Sequence, residues 1–400
     1  MNKSKSLSPW LWVPTLYFAE GIPYFLVNNI SVMMFAKMGV PNGQMALFTS
    51  LLYLPWTVKP LWSPFVDIIK TKRWWILTMQ ALMTAAMVLL TITLPKPDAA
   101  LIASGETPMS LFTFTLILFI ITAFASATHD IAADGFYMLA LTQKNQAAFV
   151  GIRSTFYRLS SIFGQGVLVA IAGLIETKTG NIPTSWRLTL MISAILFAAI
   201  TVYHTFFIPK PADDTSHLKA GTGNKTKEIF KEFGRTFATY FTKPGVVLVI
   251  VFMLLYRLPE AFLIKMCMPF LVAARDAGGL GLPTAEVGIV YGTIGVIFLT
   301  VGGIIGGLMA SRWGLRKSLW PMAACMTLPC LTFVYLSIVQ PTSLVAISIA
   351  VAIEQFGYGF GFTAYMLYMM YFSEGEFKTA HYAICTAFMA LSMMIPGMFA

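Results

Sequence analysis

Two aspartates four residues apart, Asp130 and Asp134, stand in an otherwise apolar stretch, Ala127-Thr128-His129-Asp130-Ile131-Ala132-Ala133-Asp134-Gly135. On a helix that spacing puts both carboxylates on one face. Two like charges in a low-dielectric setting cannot both ionise cheaply, so the pair is suited to taking up and releasing a proton. The next apolar stretch supplies the expected partners Arg153, Tyr157 and Arg158. Earlier in the chain, Glu20 lies in Ala19-Glu20-Gly21-Ile22-Pro23, followed by Asn28-Asn29. The Gly and Pro loosen a helix where Glu20 sits, as in a discontinuous helix that lines a cavity. Lys59 sits among Pro55, Pro60 and Pro64. Farther on, Arg257 and Glu260 are spaced to pair on one helix face, and Glu354-Gln355 precede Tyr358. Gly357, Gly359 and Gly361 alternate there but follow no strand, so close helix packing or a flexible break explains them better than a nucleotide-binding turn. His129 is suited either to the Asp130/Asp134 network or to a hydrogen-bonded packing role. His204, His217 and His381 read as packing residues.

The elements that must hold these groups are membrane helices. Apolar residues make up 57% of the 400 and charged residues 11%, with a mean hydropathy of +0.74. Ordinary soluble proteins carry about 25% charged residues. Stretches of about 20 mainly apolar residues, the length of a span, fall near 10–38, 44–69, 74–95, 108–141, 147–175, 187–209, 245–277, 284–310, 318–339, 342–373 and 379–400. That predicts eleven spans, the last running to Ala400 in mid-pattern as though a twelfth were missing. The stretch beginning at Trp10 is too long for a signal-peptide core and is expected to be the first span.

With the N-terminus in the cytoplasm, the loops on that side hold seventeen Lys and Arg: Lys3, Lys5, Lys70, Lys72, Arg73, Lys144, seven in 210–243, Arg312, Arg316, Lys317 and Lys378. The opposite loops hold five, which fixes the expected orientation. It also accounts for the +10 net charge without nucleic acid. Segment 210–244 is the longest polar stretch. It has a Gly-rich patch at Gly221–Gly223 and then an amphipathic pattern over Lys225–Phe241, suited to the membrane surface. The expected organisation is a six-helix half over 1–209, a linker over 210–244 and a second half over 245–400. Cys267, Cys325, Cys330 and Cys385 lie in apolar runs without metal-site spacing, so no metal or other cofactor is expected.

Two loops repeat. Gly306-Gly307-Leu308-Met309-Ala310-Ser311-Arg312-Trp313-Gly314-Leu315-Arg316-Lys317 aligns, at a shift of 244 residues, with a stretch holding Asp67, Lys72 and Arg73. Both resemble the G-x-x-x-D-R-x-G-R-R loop motif of the major facilitator superfamily. The second copy has Ser311 at the acidic position, and the first lacks both glycines. An acidic helix end beside a basic loop is a plausible latch on the cytoplasmic face.

Three stretches together resemble the AmpG-type muropeptide permeases of that superfamily. They are Tyr17-Phe18-Ala19-Glu20-Gly21-Ile22-Pro23, the segment from Leu54 to Asp67 with its Lys59-Pro60-Leu61-Trp62-Ser63-Pro64 core, and Asp130-Ile131-Ala132-Ala133-Asp134-Gly135. The last is also similar to the acetyl-CoA transporter family. His129 stands where a Gln is expected, and Gly135-Phe136 where Ala-Tyr is usual. The resemblance implies a proton-driven importer of N-acetylglucosamine–anhydro-N-acetylmuramic acid, with or without peptide, acting as a monomer in a bacterial inner membrane. On this reading Glu20, Asn28, Asn29, Arg153, Tyr157, Arg158, Glu260 and Gln355 bind cargo, and Asp130 and Asp134 couple it to protons. A carrier of acetyl-CoA would instead use Lys59, Arg153, Arg158, Arg257 and Lys265 on the phosphates. Five acids (Glu20, Asp130, Asp134, Glu260, Glu354) offset those five bases. A membrane-embedded enzyme would need a nucleophile–base pair or a metal cluster, and the sequence shows neither.

Overall fold

The computed structural model describes residues 7–215 and 225–397. Gly221–Gly223, His217 and the end of the last expected span lie outside that range, as does the Lys265 side chain. The described residues are almost entirely helical and contain no strand. Eight helices among them are long and apolar enough to cross a membrane: Lys72–Thr93, Met109–Ala140, Gln143–Thr179, Ile182–Phe207, Val246–Ile264, Ile289–Trp313, Leu315–Val339 and Leu344–Ser373.

The stretches expected as the first two spans are helical in pieces. Val13–Phe25 contains Pro23, which removes a backbone donor, and passes through a π-helical turn at Leu26–Ile30 into Ser31–Lys37. The prolines of the second stretch divide it into Asn42–Leu52, Leu54–Val58, a 3-10 turn at Lys59–Leu61, and Ser63–Ile68. Breaks of this kind free backbone groups, so inside a membrane they are tolerated where protein or a wet cavity surrounds them.

The pattern of burial is inverted relative to a water-soluble protein. Large apolar side chains face out, with Leu248 at 74%, Trp320 at 75% and Ile338 at 77% exposure, while Gln80, His129 and His204 are fully buried. Lipid tails are as apolar as the side chains facing them, so this surface is at rest in a bilayer.

Contacts divide the chain into two compact units, one of residues 1–140 with 156–233, the other of 141–155 with 234–400. In the first unit, Thr113–Ala140 packs on Lys72–Thr93 and on Val13–Phe25, and Lys72–Thr93 packs in turn on Ile182–Phe207. Gly21 allows Val13–Phe25 to approach 156–161, since a Cβ there would stand 1.7 Å from Ser160 Oγ. In the second unit, Val296–Trp313 packs on Leu344–Ser373 through glycines of both helices. Gly151 of segment 141–155 joins the same seam, its Cα facing Gly303. The helix Lys225–Phe241 is present, and its second half is fastened within the second unit. His381 Nε2 lies 3.1 Å from the carbonyl of Thr236, and Arg235 forms a 2.6 Å ion pair with Glu376. Just beyond, Lys243 Nζ donates to the carbonyls of Phe372 and Glu374 at the end of Leu344–Ser373, where a cation offsets the helix dipole.

Candidate functional site

Each unit has its own buried polar cluster. In the first unit Asp130 and Asp134 share one face of Thr113–Ala140, and Glu20 reaches them from Val13–Phe25. One carboxylate oxygen from each of the three lies within 4.8 Å of the others. Lys59, held at the 3-10 turn between prolines, forms an ion pair and hydrogen bond with Asp130, and Tyr17 donates its hydroxyl to Asp134 Oδ1 at 3.0 Å. The proline-broken segment therefore supplies a cation to this cluster. Three carboxylates thus gather within reach of one another, with the Lys59 ammonium and the Tyr17 hydroxyl among their partners. Lys59 already brings the positive charge that a bound metal cation would otherwise supply.

Beside this cluster stands a group of aromatic rings. Tyr24 is one helical turn from Glu20, and Trp56 is three residues before Lys59. The ring centroids of Tyr24 and Trp56 are 5.1 Å apart, those of Tyr24 and Tyr53 6.4 Å, and those of Tyr24 and Tyr157 6.2 Å. Tyr53 is exposed and the other three are half-buried, so ring faces remain for a planar or sugar ligand. Asn28 donates to the carbonyl of Tyr24 in its own helix, and Asn29 is exposed. Tyr157 and the half-buried Arg158 belong to this unit, whereas the buried Arg153 belongs to the second.

His129 turns from the acids to other partners. Its Nε2 lies 3.0 Å from Gln80 Nε2, which also approaches His204.

The second unit brings Arg257, Glu260, Glu354, Gln355 and Tyr358 together. Arg257 holds Glu260 through two hydrogen bonds of 2.8 and 2.9 Å and donates to the Tyr358 hydroxyl at 3.2 Å. The guanidinium also lies 4.9 Å from the centre of the Phe362 ring, a favourable cation–π distance. Gln355 donates to Glu354 at 2.8 Å. Glu260, Cys267, Tyr291, Glu354 and Tyr358 line a cavity of about 10 Å³, near the least space that holds a water molecule.

The loop-motif residues separate. Asp67 and Lys72 form a 2.9 Å ion pair with side chains 1% and 3% exposed. The carboxylate of Asp214 accepts the backbone N–H groups of Lys72 and Arg73 at 2.7 and 3.0 Å, and Arg73 donates to the carbonyls of Thr205 and Ile208. Asp214 thus places an anion at the N-terminus of Lys72–Thr93, where the helix dipole favours it. Replacing it with alanine is expected to lower stability by about 1–2 kcal/mol, the range of a lost N-terminal cap. The shift in detergent melting temperature measures this, and an unchanged value would show that the contact is idle. In the second unit Arg312, Gly314, Arg316 and Lys317 are exposed, and Ser311 donates to the carbonyl of Lys144.

The model of the Major Facilitator Superfamily matches residues 15–400. The chain belongs to the major facilitator superfamily. Its helices superpose on the fucose:proton symporter of Escherichia coli with a TM-score of 0.63 at 15% identity, over 97% of this chain and 89% of that one. A protein of Rickettsia conorii that bears the AmpG name is 25% identical over 93% of this chain and 84% of its own length. The anhydromuropeptide permease of Escherichia coli K12 is 24% identical over 96% of this chain and 71% of its own. Like its superfamily, the protein is an integral membrane transporter of small molecules and not an enzyme.

Within that superfamily fold, two site residues escape sequence reasoning for different reasons. Lys59 was visible among its prolines, but nothing in spacing paired it with Asp130, 71 residues away. Asp214 lies in the polar linker, where a single acid carries no signal.

Proposed function

We propose that the protein is a proton-coupled importer of cell-wall-derived amino sugars or anhydromuropeptides, working by alternating access across a bacterial inner membrane. The observation that carries this reading is the Glu20–Asp130–Asp134 cluster around Lys59, set beside the rings of Tyr24, Tyr53, Trp56 and Tyr157. Asp130 and Asp134 take the proton-coupling role. Glu20, Asn28, Asn29, Tyr157, Arg158, Arg153, Glu260 and Gln355 contact cargo, the aromatic rings receiving a sugar face. The two halves, 1–209 with six expected spans and 245–400 with five, move about the cargo, and the N-terminus is cytoplasmic. Asp67, Lys72 and Arg73, with Arg312, Gly314, Arg316 and Lys317 in the second copy, act at the cytoplasmic gate. Relatives bearing the AmpG and anhydromuropeptide permease names support the cargo class.

Acetyl-CoA is less well served. Lys59 and Arg257, two of the cations it would need, are each engaged by a carboxylate.

The test is uptake of labelled anhydromuropeptide, and in parallel of acetyl-CoA, into vesicles with and without a proton gradient. Sugar uptake that collapses with an uncoupler and in Asp130→Asn is expected. Uptake indifferent to both would remove proton coupling, and uptake of acetyl-CoA alone would replace the cargo.

A further inference from the structure

Four polar side chains of the first unit form a chain that the carboxylate cluster does not include. Thr15, Gln80, His129 and His204 come from four helices: Val13–Phe25, Lys72–Thr93, Thr113–Ala140 and Ile182–Phe207. Gln80, His129 and His204 have no solvent exposure. Gln80 Nε2 lies 3.0 Å from His129 Nε2 and 2.9 Å from His204 Nδ1, and His204 Nε2 lies 3.0 Å from Thr15 Oγ1. The Thr15 hydroxyl donates to the carbonyl of Trp12 at 3.2 Å.

Two donor orders satisfy these distances. If Thr15 gives its one hydrogen to Trp12, His204 donates to it from Nε2 and receives the Gln80 amide at Nδ1; if Thr15 donates to His204 Nε2, the ring proton lies on Nδ1 and faces Gln80 Oε1 at 3.1 Å. In either order the Gln80 side chain joins the two rings, reaching His129 at Nε2. The amide between them has no free lone pair on nitrogen to receive a proton, so the chain is a tie between helices and not a proton wire.

What it ties is the helix of Tyr17 and Glu20 to the helix of Asp130 and Asp134. His129 is the neighbour of Asp130, and Thr15 precedes Tyr17 by two residues. A slip of one residue between these helices displaces them by about 1.5 Å. That is enough to break the 3.0 Å Tyr17–Asp134 hydrogen bond and to spread three carboxylates now within 4.8 Å.

We propose that the Thr15–His204–Gln80–His129 chain is a positioning device. It sets the register of the two helices that carry Glu20, Asp130 and Asp134, and so the spacing of those three carboxylates. Its effect on transport rests on the coupling role given above to those carboxylates.

Two measurements on the full-length protein test it. The first needs no cargo. In bilayers, infrared titration of the buried carboxyl groups is expected to move by about one pH unit in Gln80→Met, because Coulomb energies at these distances change steeply with separation. It should return to the native midpoint in His129→Gln, whose amide oxygen can accept from Gln80 where Nε2 did, but not in His129→Leu. In the same samples, nitrogen NMR of labelled histidines should show His129 and His204 neutral, each held in a single tautomer by its partners. A mixture of tautomers, a charged ring or an unmoved titration in both Gln80→Met and His129→Leu would overturn the proposal. The second is uptake at equal amounts of folded protein. Gln80→Met and His129→Leu should lower the maximal rate, by up to about 100-fold for a misplacement near 1 Å, with KM little changed, and His129→Gln should restore it. A rise in KM at native rate, or equal defects in His129→Gln and His129→Leu, would overturn it too. If Gln80→Met fails to fold, the two His129 variants decide. If the native protein carries no anhydromuropeptide, the cargo reading falls while the infrared and NMR results still decide the chain.

Discussion

The variant Lys59→Met is expected to lose uptake and most of its folded stability, and Lys59→Met with Asp130→Asn to regain the stability alone. The Lys59 and Asp130 side chains are each 13% exposed and paired with one another. Removing one partner of a buried pair strands the other charge, at a cost of about 3–5 kcal/mol. Here the stranded carboxylate would also face Glu20 and Asp134 at under 4.8 Å, with less positive charge between them. Neutralising Asp130 as well removes the stranded charge, so the double variant should melt close to the native protein. It should still fail to concentrate cargo, since a coupling carboxylate is gone. Melting in detergent separates the two effects, and uptake with and without an uncoupler reads the second. A double variant no more stable than Lys59→Met would show that the pair is not the source of the loss.

The second large effect is expected at Gly302, with its neighbour Gly303 as the control. A Cβ at Gly302 would stand 2.2 Å from the carbonyl oxygen of Phe356 and one at Gly359 2.0 Å from that of Leu299, so the helices Val296–Trp313 and Leu344–Ser373 touch backbone to backbone. Backbone cannot rotate away as a side chain can. Gly302→Ala should therefore cost about 3 kcal/mol or more, at or beyond the upper end of ordinary overpacking. Gly303→Ala should be nearly neutral, because its nearest contact would be 3.7 Å, ordinary van der Waals distance. Expression and melting temperature of the two variants check this directly. Equal losses would mean that the seam responds to lost glycine flexibility and not to space.

Both predictions rest on features that the sequence shows unequally. The apolar stretches and the alternating glycines were legible, because helix length and small residues in a membrane leave a strong pattern. The Asp130/Asp134 face and the Arg257–Glu260 pair were legible too, since each lies on one helix at a fixed spacing. What local spacing could not supply was the long-range partner. Lys59 with Asp130 and Gln80 with two histidines join helices whose order in sequence says nothing of their facing sides. His204 looked like a packing residue, and it is one, but the packing is polar and shared with His129. The proline-broken second stretch was harder still, since its residues read as a single span by composition and fold as three short helices and a turn.

The seat of Gly151 on Gly303 has a consequence for how the protein is made. The opening turns of Gln143–Thr179 leave the ribosome about 150 residues before the helix that receives them. At about 5–20 residues per second, that is a wait of roughly 8–30 s. During it, a face made of bare backbone and small side chains stands in the membrane without its counterpart. Insertion factors that shelter such a face would act in this interval, and slowing synthesis between residues 156 and 300 would lengthen their task without changing a single native contact.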